Sequence, residues 1–264
     1  NESESELLTE EVKQTLSEDR SNNDILFANI PPIRAKCASC SLGRLDFGEV
    51  DFSIERIAED TLKLKQFTAK RNKTNASLNA TWVHNQKTSH TTIIGELAAK
   101  DIEQEVIKLG YPSSIKDSGI KLKYNFDWQS SPFDFDLAKL NGDVNASISD
   151  GVVDVDDKGA RYLSIFSLSS LARKLKLDFR DMFSDGMFYE SIKGDFHLEN
   201  GVIYTDNTRM KGGAGNLSVK GNTDLSKQVL DYSMSYKPNV TSSLPAIAWV
   251  ATLNPVAILA GLAL

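Results

Sequence analysis

Residues 119–128, GIKLKYNFDW, are apolar at every even position: Ile120, Leu122, Tyr124, Phe126 and Trp128. Lys121, Lys123, Asn125 and Asp127 stand between them. Period-two alternation predicts a β-strand with one dry and one wet face. The same pattern recurs along the chain. It runs through Val50, Phe52 and Ile54, then Ala76, Leu78, Ala80 and Trp82, and after the first stretch Phe133, Phe135 and Leu137. Val144, Ala146 and Ile148 follow, then Phe196 and Leu198, Val202 and Tyr204, Leu217 and Val219, and the series Leu230, Tyr232, Met234, Tyr236. NGD, SDG, ENG and KGG fall between many of these runs and read as hairpin turns. The pattern predicts a mainly β, antiparallel chain.

Two segments break the alternation. In ELAAKDIEQEVIKLGYP, Ile102, Val106 and Leu109 share a helical face that Gly110 and Pro112 terminate. ARYLSIFSLSSLARKLKL reads as a mostly apolar, covered helix over residues 160–173. The organisation is tripartite: an acidic, polar segment over 1–24, a strand-rich body over 25–238 and an uncharged segment over 239–264. In the first, Leu7, Leu8, Val12 and Leu16 outline one short amphipathic helix, with SEDRSNND after it as linker. Alternation alone leaves open what covers the dry face: a second sheet, helices, or something other than protein.

Composition narrows the function. With 41 % hydrophobic and 25 % charged residues, the 264-residue chain is an ordinary folded protein. A net charge of −6 excludes nucleic acid as the expected partner, because phosphate binding needs a basic surface. His84, His90 and His197 have no second ligand at metal spacing, so no metal and no cofactor are expected. No nucleophile elbow, phosphate-binding loop or dinucleotide fingerprint occurs, and the expectation is that the protein is not an enzyme. The chain begins at Asn1 without a leader or apolar stretch, which reads as a fragment of something longer.

The last 26 residues, Asn239 to Leu264, carry no charge. Their length approaches a membrane span, yet Pro245, Asn254 and Pro255 divide it into two short apolar helices. Ile247, Trp249, Val250, Ile258 and Leu259 are the candidate membrane contacts. The competing reading is a plug packed against the protein's own sheet.

The succession LSIFSL, LDFRDMF and IKGDFHLENGVIYT, continuing to GNLSVKGNTDLSKQVLDYSMSYKPNVTSSLP, is specific in order and spacing. Over residues 159–245 it resembles the C-terminal region of the AsmA-like family of Gram-negative envelope proteins. The resemblance implies a long twisted antiparallel sheet forming an open apolar groove, a few covering helices and an apolar C-terminal helical segment. It further implies phospholipid as the partner, shielded in the groove between an inner-membrane anchor and the outer membrane at the C-terminal end. Envelope proteins are further candidate partners. On this reading Ile120, Leu122, Tyr124, Phe126, Trp128, Phe196 and Leu198 line the groove. The alternative is a structural or assembly factor of the outer membrane that binds protein. In an oxidising periplasm, Cys37 and Cys40 of CASC are expected to form a local disulfide before LGRLDFGEV, a reversible redox pair being the other reading.

Overall fold

A computed structural model describes residues 22–43, 45–108, 113, 115–153, 187–213, 215–227 and 229–239. The expected helices around Leu7–Leu16 and over 160–173, and the segment carrying Ile247, Trp249, Val250, Ile258 and Leu259, lie outside these residues.

Most neighbouring strands are joined as hairpins, because many alternating runs end at short turns, and longer connections interrupt the series in its middle. The chain runs α1 (residues 22–29), β1 (Ile33–Leu42), β2 (Leu45–Ala58), β3 (Thr61–Arg71), β4 (Thr74–His84) and β5 (Ser89–Ala99). It continues with α2 (Ile102–Lys108), β6 (Ile115–Lys116), β7 (Ile120–Trp128), β8 (Asn141–Ile148) and β9 (Gly151–Val153). The remaining strands are β10 (Met187–Tyr189), β11 (Ser191–Glu199), β12 (Val202–Gly212), β13 (Gly215–Asp224) and β14 (Val229–Pro238). Eleven strands form one antiparallel sheet in the order β1-β2-β3-β4-β5-β7-β8-β11-β12-β13-β14. Its edges are β1 and β14, and it does not close into a barrel. At the usual strand spacing it extends about 48 Å from edge to edge. A three-stranded sheet, β10-β9-β6, packs on its dry face.

The mainly β, antiparallel expectation holds, and four local readings change. Ala98 and Ala99 continue β5, paired with Lys121 and Ile120, so α2 is shorter than its periodicity suggested. Asp101 starts α2 by accepting from the Gln104 amide at 3.1 Å. Residues 22–24, read as linker, are helical. Phe133, Phe135 and Leu137 are not a strand: they lie in turns and a 3₁₀ turn (Leu137–Lys139) and are all exposed. Asp136 caps that turn through the Ala138 amide at 2.9 Å and so diverts the alternating run from the sheet. Finally, NGD is not a turn but the start of β8, whereas ENG is one, with Asn200 and Gly201 at φ 47° and 74°. Positive φ at both central residues is what a type I′ hairpin requires.

Tyr204 also departs from expectation. It pairs with His197 on the wet face and is 42 % exposed, while Ile203 opposite Leu198 turns inward. A bulge between Thr205 and Thr208 then shifts the phase, and Met210 returns to the dry face among buried residues. One extra residue reverses every later side chain of a strand, and period-two reading cannot see it.

Candidate functional site: the dry face of the long sheet

Backbone pairing aligns the apolar residues in rows that cross the strands. One row reads Leu78, Gly95, Tyr124, Val144 and Phe196. Beside it run Ala76, Leu97, Leu122, Ala146 and Gly194. On the other side lie Ala80, Ile93, Phe126, Gly142, Leu198 and Ile203. Because opposed residues share a face, these rows make a continuous apolar surface along the long dimension of the sheet.

Among the described residues, the two lateral rims of this surface are covered and its middle is not. At the first rim, Phe27 of α1 buries itself against Leu62 and Trp82, its ring edge-on to the indole at 4.9 Å. Asp24 holds His84 at 2.6 Å and Arg56 donates to the Phe27 carbonyl at 2.6 Å, fastening the helix. Next along this rim, residues 129–140 form a strap whose Leu140 joins Trp128 and Leu198 in a buried cluster. At the second rim, Val153 and Tyr189 of the small sheet pack on Met210 and Leu217. That rim continues across the long sheet as Ile120, Ile148, Ile192, Met210, Leu217 and Tyr236. Between the rims, Leu78, Leu97, Leu122, Tyr124, Val144 and Phe196 are only half-buried.

All seven residues named from the sequence stand on this face, in two classes. Trp128 and Leu198 are buried beneath the strap. Ile120, Leu122, Tyr124, Phe126 and Phe196 remain half-exposed, and the rings of Tyr124 and Phe126 stack at 5.2 Å. A cavity of about 1150 Å³ also crosses seven strands, but beside the central row it is lined by wet-face residues, Ile94, Glu96, Lys123, Asp143, His197 and Tyr204 among them, and by none of the two flanking apolar rows, so it belongs to the wet face. The dry-face residues that sequence reading missed include Ile93 and Leu97. Ile93 lies in HTTIIGEL, where two adjacent isoleucines hide the phase; only pairing shows that Ile93 faces in and Ile94 out.

The face is electrically neutral by construction. Burial pushes the phenol groups of Tyr124, Tyr232 and Tyr236 above their ordinary range, so they stay uncharged at neutral pH. Thr205 and Thr208 satisfy each other at 2.8 Å, and Thr223 pairs with the Tyr232 hydroxyl at 2.7 Å. Hydroxyls paired in this way add little polarity to an apolar wall. The wet face carries the charges: Lys36–Asp51 and Lys123–Glu96 pair across strands at 2.8 and 3.1 Å, and His197 Nδ1 hydrogen-bonds the Asp143 carboxylate at 2.9 Å. Asn145 and Asn207 donate to Asp195 and hold its carboxyl below the usual range.

Cys37 and Cys40 are joined by a disulfide, at a bulge within β1 opposite Val50 and Gly48 rather than in the β1–β2 turn. Among the described residues, no three His, Cys, Asp or Glu side chains converge as metal ligands, and no helix is long and apolar enough to cross a membrane.

The YhdP protein family model matches residues 3–264. The chain is 26 % identical over 234 residues to a protein of Escherichia coli (strain K12) named intermembrane phospholipid transporter YhdP. That match covers 88 % of this chain and 18 % of the relative, so the chain spans under a fifth of the relative's length. No solved structure matches it significantly.

Proposed function

The chain belongs to the YhdP family, and from that premise we propose that its dry face shields the acyl chains of phospholipids as they cross the periplasm between the inner and outer membranes. The reading is of a carrier, not an enzyme. A phospholipid that leaves a bilayer exposes its tails at about 0.8 kcal/mol per CH₂. For two tails of ordinary length the barrier is on the order of 20 kcal/mol, too high for rapid free diffusion. A neutral wall removes most of that cost if it is continuous, because each tail segment then always has an apolar neighbour.

The observation that carries the reading is the uncovered middle of the face. A closed core would bury Leu122, Tyr124 and Phe196, yet these stay half-exposed between two covered rims. The rows run along the sheet, so a tail lying on them passes from strand to strand without meeting a charge. The polar headgroup stays in water beyond the rims. Delivery at the outer membrane by the uncharged segment 239–264 belongs to the same proposal.

Photo-crosslinking in cells tests it. A photoreactive residue at Leu122, Tyr124 or Phe126 is expected to yield phospholipid adducts, and one at Lys123 or Asp127 on the wet face none. Absence of lipid at all three inward positions in a folded protein overturns the carrier reading in favour of a protein-binding assembly factor.

A further inference from the structure

Phe133 is the most exposed large apolar side chain among the described residues, at 66 %, and Phe135 follows in the same strap at 51 %. The strap is not a loose loop. Thr91 Oγ1 donates to the Ser130 carbonyl at 2.8 Å, Trp128 Nε1 to the Ser131 carbonyl at 2.9 Å, and the Gly201 amide to the Leu140 carbonyl at 3.0 Å. Asp134 and Asp136, which separate the phenylalanines, are engaged by Ser130 and by the Ala138 amide. The carboxylates therefore hold the turn while the rings project.

Each ring stands edge-on to a tryptophan of the first rim: Phe133 to Trp82 at 6.0 Å and 83°, Phe135 to Trp128 at 5.3 Å and 85°. Phe27 also stands edge-on to Trp82, and its helix exposes Ile25 and Leu26 at 58 % and 44 %. Two separate elements, the strap and α1, thus meet at Trp82, and of the two only the strap reaches Trp128. Those indoles adjoin the inward row Ala80, Ile93 and Phe126, so an apolar path leads from outside the rim to the uncovered middle of the face. Aromatic pairing accounts for one edge of each phenylalanine, and nothing else in the described fold covers the rest.

We infer that the strap and α1 form a lateral mouth of the groove, where a phospholipid tail enters from the side and first touches Phe133 and Phe135. The inference rests on the acyl-chain reading of the dry face and adds a point of entry to it. A tail is the occupant that suits the surface, because the two indoles adjoin the uncharged rows of the dry face, and any substrate of the groove must pass between its rims or enter at its ends.

The test places a photoreactive residue at Phe133, Phe135, Leu122 or Ile94 in the full-length protein in cells. Ile94 is 55 % exposed on the wet face and controls for mere exposure. A second arm measures loading of fluorescent phosphatidylcholine from vesicles onto the double variant Phe133→Ser, Phe135→Ser. The expected result is lipid adducts at 122, 133 and 135 but not at 94, with loading slowed several-fold and final occupancy unchanged. Adducts at 122 without any at 133 or 135, or an unchanged loading rate, overturn the mouth and leave the groove standing. Loss of adducts at 122 as well overturns the groove and the mouth with it. Protein adducts at 133 and 135 overturn the mouth in favour of a protein-docking patch.

Discussion

Gly142 sits in β8 at φ 139°, and a Cβ there would lie 1.9 Å from the Asn125 carbonyl oxygen. Backbone comes too close for any side chain, and the conformation itself disfavours L residues. Gly142→Ala is expected to destabilise the fold by about 1–3 kcal/mol, read as a lowered denaturation midpoint with unchanged slope. Gly95 is crowded from two sides: a Cβ there would meet the Tyr124 phenol oxygen at 2.5 Å and the Ser77 carbonyl oxygen at 2.6 Å. Glu105 supplies a pH response. Burial works against its charge, but the hydrogen bond from Thr74 and the contact with Arg71 outweigh it and hold its carboxyl below the ordinary value. A depressed acid contributes stability that is complete above its unfolded-state value, about 4.3, and is lost as pH falls through the lower folded value. Thermal denaturation from pH 6 down to about pH 3 should show a steeper acid loss for the native chain than for Glu105→Gln. Equal slopes would refute this role.

At the scale of elements, the covering pieces are attached by few contacts each, and that makes them separable. Phe27 anchors α1, buried to 6 % exposure against Trp82. Phe27→Ala removes an anchor of the kind worth about 3–5 kcal/mol, more than eight helical residues supply on their own. The expected outcome is loss of amide protection over residues 22–29 with the sheet's protection intact; protection lost everywhere would make α1 part of the global core. The Cys37–Cys40 disulfide closes so short a loop that chain entropy assigns it about 2 kcal/mol, against about 3 for a loop of fifteen residues. The double replacement Cys37→Ala, Cys40→Ala should therefore shift stability modestly and leave lipid adducts at Leu122 unchanged. Loss of those adducts would point to a role beyond tightening β1.

Across the whole molecule, eleven strands share one continuous face, so a single charge in its middle interrupts the entire path. Introducing a carboxylate at a half-buried site beside acyl chains carries a desolvation penalty of several kcal/mol, and each 1.36 kcal/mol slows a step tenfold. Tyr124→Asp is expected to cut lipid transport at least about tenfold while thermal denaturation shows the protein folded, and Ile94→Asp on the wet face should have little effect. Equal effects of the two would mean that transport does not use the dry face.

Much of this was legible in the chain. Ile120 through Trp128 could be assigned to one face because side chains alternate strictly along a strand, a constraint that needs no tertiary contact. The same local rule placed Phe196 with Leu198 and Val144 with Ile148. It failed where geometry is non-local: at β12, where Tyr204 faces outward and the bulge after Thr205 shifts the phase again, at Ile93 beside Ile94, and at Phe133, Phe135 and Leu137, where the capping carboxylate of Asp136 outweighs the alternation. What the sequence by itself determined is which side chains avoid water. The tertiary structure alone decided what covers them, because the strap, α1 and the small sheet reach the dry face through contacts between residues dozens of positions apart. Those contacts bury Trp128 and Leu198 and leave Leu122 and Tyr124 half-exposed, although all four sit on the same apolar face and look alike in the sequence.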